Sequence, residues 1–439
     1  MSKNLSRRDF LKLTGMVSAG LALSACGENI IELPTSSATT AITPSATAMS
    51  PATATPPATV MPTIMPGMGR LMLEFYSTPN ELKVRMINDK FLIGIGAATS
   101  SGCAPLNILR DLRLNGINLF RVWTAWGVIE RQEGNYSGVP CPDESFIEYA
   151  YETGAFLDGC GTLFLLGGPY IVPDFVSNRP YKEQKRMAEN FIRAVVQRFP
   201  HITSWTLNEP IAQNVLGLSR EQNYDLFVSA SHWIHETNPD AKVLINMIPI
   251  PVDWSSLHYD PNRVMDDMLS RGLEADIIGI EIYSLWEGSY QDKNGCPRLD
   301  WVGQRIEIFR RYGLPILFSE VGVPGIMNNV EQLEKQADWL EAFLRLAHND
   351  PDVIGATWWF TQDEDEYIPD VGLTNDDNTF RPVAKRMFKL AEEWNPSIVR
   401  VLNGQNYLEL EPGEYDVIFD KHIFRVNIRA GETFVITAH

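Results

Sequence analysis

The chain has 439 residues, 44 % of them apolar and 21 % charged, with a formal net charge of −18. An acidic surface of that size argues against nucleic acid and anionic lipid surfaces as partners. The apolar content is that of a large buried core, not of a disordered chain.

The first 68 residues stand outside the fold. Ser6-Arg7-Arg8-Asp9-Phe10-Leu11-Lys12 resembles a twin-arginine export signal, and an apolar run to Ala25 follows it. That run is too short and too rich in small residues for a membrane span. It ends in Leu23-Ser24-Ala25-Cys26-Gly27, which resembles a bacterial lipobox. The resemblance implies that 1–25 is a lipoprotein signal cleaved before Cys26, and that the Cys26 sulfur carries a lipid. The mature protein would then be exported and held on the outer face of the cytoplasmic membrane of a bacterium. Residues 26–68 are dominated by Thr, Ala, Ser, Pro and Met. They lack the apolar mass to offset the entropy of ordering and read as a disordered tether.

From 69 to 395 short apolar runs alternate with amphipathic stretches. After a strand or hairpin within 70–90, the spacing predicts strands at 91–97, 117–123, 162–167, 202–207, 243–248, 277–283, 315–319 and 354–360. Helices are predicted at 104–114, 143–157, 181–198, 219–236, 262–271, 302–311, 329–348 and 382–394. Continuously apolar strands covered by helices form a parallel sheet buried on both faces. Eight such units in order, with no Gly-rich phosphate loop, predict an α/β protein of the (β/α)8 TIM-barrel class. Residues 396–439 instead alternate apolar and polar residues between turn signals, predicting a small antiparallel β appendage packed on the barrel. No CxxC or HExxH spacing occurs, so neither metal nor cofactor is expected. With Cys26 lipidated, Cys103, Cys141, Cys160 and Cys296 allow three disulfide pairings, among which the sequence does not choose.

The chemistry lies at strand ends. Trp205-Thr206-Leu207-Asn208-Glu209-Pro210 places Glu209 after the fourth strand, and Ile316-Leu317-Phe318-Ser319-Glu320-Val321-Gly322 places Glu320 at the end of the seventh. The C-terminal ends of barrel strands build the active site, and the fourth and seventh face each other across the mouth. Two carboxyls roughly 5–5.5 Å apart are the equipment of a retaining glycoside hydrolase. One must stay protonated to release the leaving group while the other stays ionised to attack. Arg121, on the second strand, is placed to hold Glu320 ionised. Asn208 is a candidate for bonding a sugar hydroxyl, and Tyr283 for donating to the nucleophile. Of Trp358 and Trp359, one is expected to face the mouth as a sugar platform and the other the helix layer.

These residues resemble the clan of (β/α)8 retaining glycoside hydrolases with Asn-Glu after the fourth strand and Glu after the seventh. The motif likeness is greatest to the family 1 β-glucosidases and β-galactosidases. Thr206-Leu207-Asn208-Glu209-Pro210 is similar to that family's T-F-N-E-P, which implies Glu209 as acid/base. Phe318-Ser319-Glu320-Val321-Gly322 is similar to I-T-E-N-G, which implies Glu320 as nucleophile. Asp276 to Ser284 resembles D-F-I-G-I-N-Y-Y-T and implies that Tyr283 touches the nucleophile. Trp359 to Tyr367 has the spacing of W-S-L-L-D-N-F-E-W, implying Trp359 as platform and Glu366 and Tyr367 as glycone contacts. Two of the family's glycone-binding residues are missing: Thr99-Ser100-Ser101-Gly102 replaces its Gln after the first strand, and Gly167-Gly168-Pro169-Tyr170 its His after the third. The reaction expected is β-glycoside hydrolysis by double displacement on a β-linked oligo- or polysaccharide, with a β-glycosidase placed first. An endo-β-glycanase or transglycosylase and a non-catalytic carbohydrate-binding barrel are the alternatives.

Overall fold

A computed structural model describes residues 63–75, 81–99, 102–165, 171–212, 214–254, 257–284, 290–325, 329–363, 370–402 and 404–438. The signal, Cys26 and most of the tether lie outside the described residues. Eight parallel strands close a barrel: β1 Leu92–Gly96, β2 Leu119–Trp123, β3 Phe156–Phe164, β4 Ser204–Asn208, β5 Lys242–Met247, β6 Ile277–Tyr283, β7 Ile316–Gly322 and β8 Val353–Trp358. Consecutive strands pair, and β8 closes on β1 through Gly355 opposite Leu92 and Trp358 opposite Ile95. Helices α1 Leu106–Leu114, α2 Glu144–Glu152, α3 Tyr181–Arg198, α4 Arg220–Thr237, α5 Pro261–Ser270, α6 Leu299–Arg310, α7 Val330–His348 and α8 Pro382–Trp394 follow the strands in turn.

Local sequence accounts for these elements. In α3, Gln184, Met187, Ala188, Phe191, Ile192, Val195 and Val196 are buried at helical spacing. In α4 a capping box between Ser219 and Gln222 satisfies the orphan donors of the first turn. β3 departs from the predicted 162–167 and begins six residues earlier. Asp158, Gly159 and Gly161 read as turn residues in a linear scan, but here they lie within a barrel strand. The preceding helix accordingly stops at Glu152, short of the predicted 157.

The barrel interior is layered. Leu119, Leu244, Ile277 and Leu317 plug the end where the strands begin. Above them buried Asp158, Arg121, Ser204, Thr206, Asn246 and Ser319 form a polar girdle. The acidic residues of the mouth lie beyond it.

The appendage is larger than residues 396–439, and this corrects the boundary expected at 69. Strand Gly69–Phe75 lies between Tyr407–Leu410 and Thr433–Ala438. Strand Glu81–Met86 lies between Ser397–Val401 and Gly413–Phe419, and His422–Ile428 completes that second sheet. The two N-terminal strands therefore form the interior of a seven-stranded unit rather than a lead-in to the barrel. Its core alternates along each strand: Leu71 and Leu73, Leu82 and Val84, Tyr415 and Val417, Val426 and Ile428. Each buried aliphatic side chain there stabilises the unit by about 1.5–3 kcal/mol of transfer free energy.

This unit docks where helices run into strands, away from the mouth. The Arg113 guanidinium of α1 donates to Asp416 at 3.1 and 3.2 Å and to the carbonyl of Thr153, which caps α2. Arg85 donates to the Leu114 carbonyl at 3.0 Å, and Arg425 donates to Asp416 at 2.7 Å. Of the four candidate cysteines, Cys103 and Cys141 form a disulfide, while Cys160 and Cys296 are buried free thiols.

Candidate active site

Two local irregularities aim the glutamates. In β7, Leu317 faces the barrel interior, Phe318 packs outward on Phe343 of α7, and Ser319 points inward to Asn246. Strict alternation sends Glu320 outward into the helix layer. The register with β6 slips instead: Gly279 pairs with Leu317, but Glu281 pairs with Glu320, and the register with β8 slips at the same place. This bulge gives β7 two consecutive inward side chains, Ser319 and Glu320. Glu209 follows β4 with a left-handed φ of 47°, and Ile211 has a φ of 70°. Such conformations cost a non-glycine residue about 1–3 kcal/mol each. The surroundings impose them: the Glu209 N–H donates to the Asn246 carbonyl at 3.0 Å, and the Ile211 N–H to Asn223 of α4 at 3.0 Å.

Glu320 sits among donors. Arg121 Nη1 donates to its Oε1 at 2.9 Å, and the Tyr283 hydroxyl donates to its Oε2 at 2.6 Å. Both oxygens are thus occupied in a way that suits a carboxylate. Arg121 is 1 % exposed and fully engaged: Nε donates to Asp158 at 2.8 Å, Nη1 also to the Ser319 carbonyl at 2.9 Å, and Nη2 to Thr206 at 3.3 Å. Burial alone lowers the pKa of such a guanidinium, but Cys160, Asp158 and Glu320 turn the shift upward. Burial also pushes the Cys160 thiol well up and keeps it neutral, so the two carboxylates carry the effect. Asp158 is held in turn by the hydroxyls of Ser204 at 2.6 Å and Thr206 at 2.8 Å.

Glu209 has a different partner, one that sequence reasoning missed. Glu281 on β6 is 5 % exposed and accepts from Asn246 Nδ2 at 2.8 Å, and the Asn246 carbonyl receives the Glu209 N–H at 3.0 Å, so Asn246 brings the two glutamates together. Burial, then the nearby charges of Glu209 and Glu320, push the Glu281 carboxyl well above its ordinary range. The signal was present in the strand Ile277–Tyr283, where Glu281 shares the inward parity of Tyr283 in an otherwise apolar run. Asp158, Thr206, Asn246 and Ser319 were overlooked in the same way.

Asn208 is buried at the end of β4, its Oδ1 accepting from the Gly161 N–H at 3.2 Å. The Trp359 ring lies 5.2 Å from the Arg121 guanidinium and against Gly96, where a Cβ would meet the indole at 2.6 Å. Trp358 turns the other way and donates through Nε1 to the Val371 carbonyl at 2.7 Å. The structure thus brings Arg121, Asn208, Glu209, Tyr283, Glu320 and Trp359 to one mouth. Glu366 and Tyr367 lie outside the described residues.

Comparison with known proteins agrees with this architecture. Native xylanase 10B from Thermotoga maritima superposes with a TM-score of 0.55 at 16 % identity, over 69 % of this chain and 95 % of that one. Xylanase 10B from Thermotoga petrophila RKU-1, in complex with xylobiose, gives 0.53 at 17 % identity, over 69 % and 94 %. Native xylanase 10C from Cellvibrio japonicus gives 0.53 at 14 % identity, over 70 % and 71 %. At such identities the shared property is the fold, and it defines the chain as a (β/α)8 barrel protein. These neighbours are xylanases, not the family 1 enzymes whose motifs the sequence resembles. Residues 4–24 match the family model of the twin-arginine translocation pathway signal sequence, which supports export across the cytoplasmic membrane. A comparison with curated proteins finds no match.

Proposed function

We propose that the protein is an exported retaining glycoside hydrolase that cleaves within β-linked glycan chains. The carrying observation is the opposite setting of two carboxyls in one mouth: Glu320 meets two donors, while Glu209 is buried next to a second carboxyl, Glu281, both held by Asn246. The first setting suits a nucleophile and the second a proton carrier. Glu320 attacks the anomeric carbon while Glu209 gives its proton to the departing oxygen. Glu209 then takes a proton from the water that displaces Glu320 from the sugar. Asn208 bonds a hydroxyl beside the reacting carbon, and Trp359 stacks on the sugar ring. Neither step calls on a metal or an organic cofactor.

Endo action is supported by the xylanase neighbours of the fold and by the missing Gln and His of family 1, both of which grip a terminal sugar. The family 1 motifs favour a second reading, an exo-acting β-glycosidase. Product sizes from β-1,4-glycans separate the two: oligosaccharides of mixed length support endo cleavage, and monosaccharide alone supports exo. Glu320→Gln should abolish hydrolysis of aryl β-glycosides and β-glycans. Glu209→Ala should lose about 10²–10⁴-fold with poor leaving groups; with an activated aryl leaving group, where release of the sugar from Glu320 is limiting, added azide should restore turnover and give a β-glycosyl azide. An α-configured first product, seen by proton NMR, overturns retention. Lipidation of Cys26 belongs to the same proposal. The 26–68 tether would join the barrel through the β unit on the side away from the mouth, leaving the mouth free for a polymer.

A further inference from the structure

The mouth holds more acid than the two-carboxylate mechanism uses. Among the described residues, Asp158, Glu209, Glu281 and Glu320 are buried carboxyls inside the barrel, and Arg121 is the buried cation facing them. The contacts of Arg121 go to Asp158, Glu320, Thr206 and the Ser319 carbonyl, so Glu281 receives no direct bond from it. From the neighbouring elements Glu281 faces Glu209 at the end of β4, Glu320 on β7, Arg121 on β2, Cys160 on β3 and Tyr259 beyond β5. Of these, Arg121 alone opposes a second negative charge there, and it does so at a distance. Asn246 fixes the Glu281 carboxyl through Oε1, and Ser319 donates to Asn246, so the carboxyl is held in place.

We propose that Glu281 is a positioning residue for the acid/base Glu209: the two carboxyls form a hydrogen-bonded pair that retains one proton between them and keeps Glu209 supplied for the leaving group. The inference rests on the functional reading above and extends it to the control of the acid. Two carboxyls in contact and out of water cannot both ionise at ordinary pH, so they titrate as a unit, the second proton leaving late. In the first step the shared proton passes through Glu209 to the glycosidic oxygen as the C–O bond breaks and Glu320 bonds the sugar; the ester removes the Glu320 charge, which lets the pair carry two charges until the second step. In the second step the attacking water returns a proton to Glu209 as its oxygen bonds the sugar, restoring the singly protonated pair. No other reactant is needed. The consequence is activity that persists to higher pH than an isolated glutamic acid permits.

The test is Glu281→Gln, which keeps the shape and an oxygen for Asn246 but removes the second charge. The alkaline limb of kcat/KM, measured with a poor leaving group, should move to lower pH by about one unit or more, and Glu281→Asp should restore part of the shift. An activated aryl leaving group, which needs little protonation, should show a smaller change. An alkaline limb unmoved in Glu281→Gln overturns the proposal while leaving the glycosidase reading intact. A wild-type protein inert on every β-glycoside and β-glycan overturns that reading instead. Thermal melting checks folding, and its sign is fixed. The folded pair holds a proton that the unfolded carboxyls release, so its effect on stability is favourable at low pH and lost as pH rises. Glu281→Gln should therefore melt no lower than wild type at alkaline pH. Should the variant not fold, the infrared carbonyl stretch of protonated carboxyls in the wild-type protein decides. A band persisting at neutral pH and diminished in Glu209→Gln supports the pair, and its absence overturns it. Glu130→Gln serves as the control, because burial also raises the Glu130 carboxyl.

Discussion

Tyr283 and Arg121 divide the care of Glu320 between a neutral and a charged donor. The 2.6 Å bond from Tyr283 ends on a buried carboxylate, and a hydrogen bond to a charged group is worth about 1.5–3 kcal/mol. If that bond strengthens in the transition state, Tyr283→Phe should lower kcat by about 10- to 150-fold. Steady-state kinetics on aryl β-glycosides check this, and KM should change far less than kcat. At this scale the sequence was most informative where a motif carried the residue. Glu209 and Glu320 stood in recognisable strings, and Arg121, Asn208, Tyr283 and Trp359 arrive at the same mouth. The residues that support them were not legible. Asp158, Asn246, Glu281 and Ser319 belong to no string, and their meaning comes from which side of a closed barrel they face.

Strands and helices were legible by periodicity, and the exceptions share one cause. β3 was misplaced because a linear scan treats Asp158, Gly159 and Gly161 as breakers. Inside a barrel the same residues serve: Asp158 anchors Arg121, and the glycines make room for the Trp205 and Trp123 rings. The bulge in β7 was invisible as well, since strict alternation points Glu320 the wrong way and only the slip against β6 and β8 corrects it. β1 offers a direct test of how elements set the site. Gly96 has no side chain where the Trp359 indole lies, and a Cβ would stand 2.6 Å from its ring. Gly96→Ala should displace the indole and raise KM for oligosaccharides several-fold, by about 1 kcal/mol or more. Tryptophan fluorescence and KM should change together, whereas an unchanged KM removes Trp359 from the sugar platform.

For the whole molecule, composition and spacing pointed to a barrel with a β appendage, but not to where the appendage finds its strands. The pairing of Gly69–Phe75 with Thr433–Ala438 joins positions more than 350 residues apart, and no local pattern encodes such a partner. The joint with the barrel is equally non-local, built on Asp416 beneath Arg85, Arg113 and Arg425. Removing one member of a buried ion cluster leaves the others uncompensated, at about 3–5 kcal/mol. Asp416→Ala should therefore lower the melting temperature markedly while leaving kcat near normal at temperatures where the protein stays folded. Thermal scans alongside activity check both halves, and a large loss of kcat in the folded variant shows coupling between joint and mouth.

The interior position of the two N-terminal strands also has a meaning in time. A ribosome makes Gly69–Phe75 and Glu81–Met86 before any barrel strand, yet every neighbour they pair with is made after α8. Until the strands from Ser397–Val401 to Thr433–Ala438 emerge, both edges of these two strands lack their partners, whereas every barrel strand has already been made. A chain interrupted before Thr433 lacks the strand that pairs in parallel with Gly69–Phe75 and leaves that edge unsealed. The β unit thus closes only when both flanks of the barrel have been made, tying the segment that precedes the barrel to the one that follows.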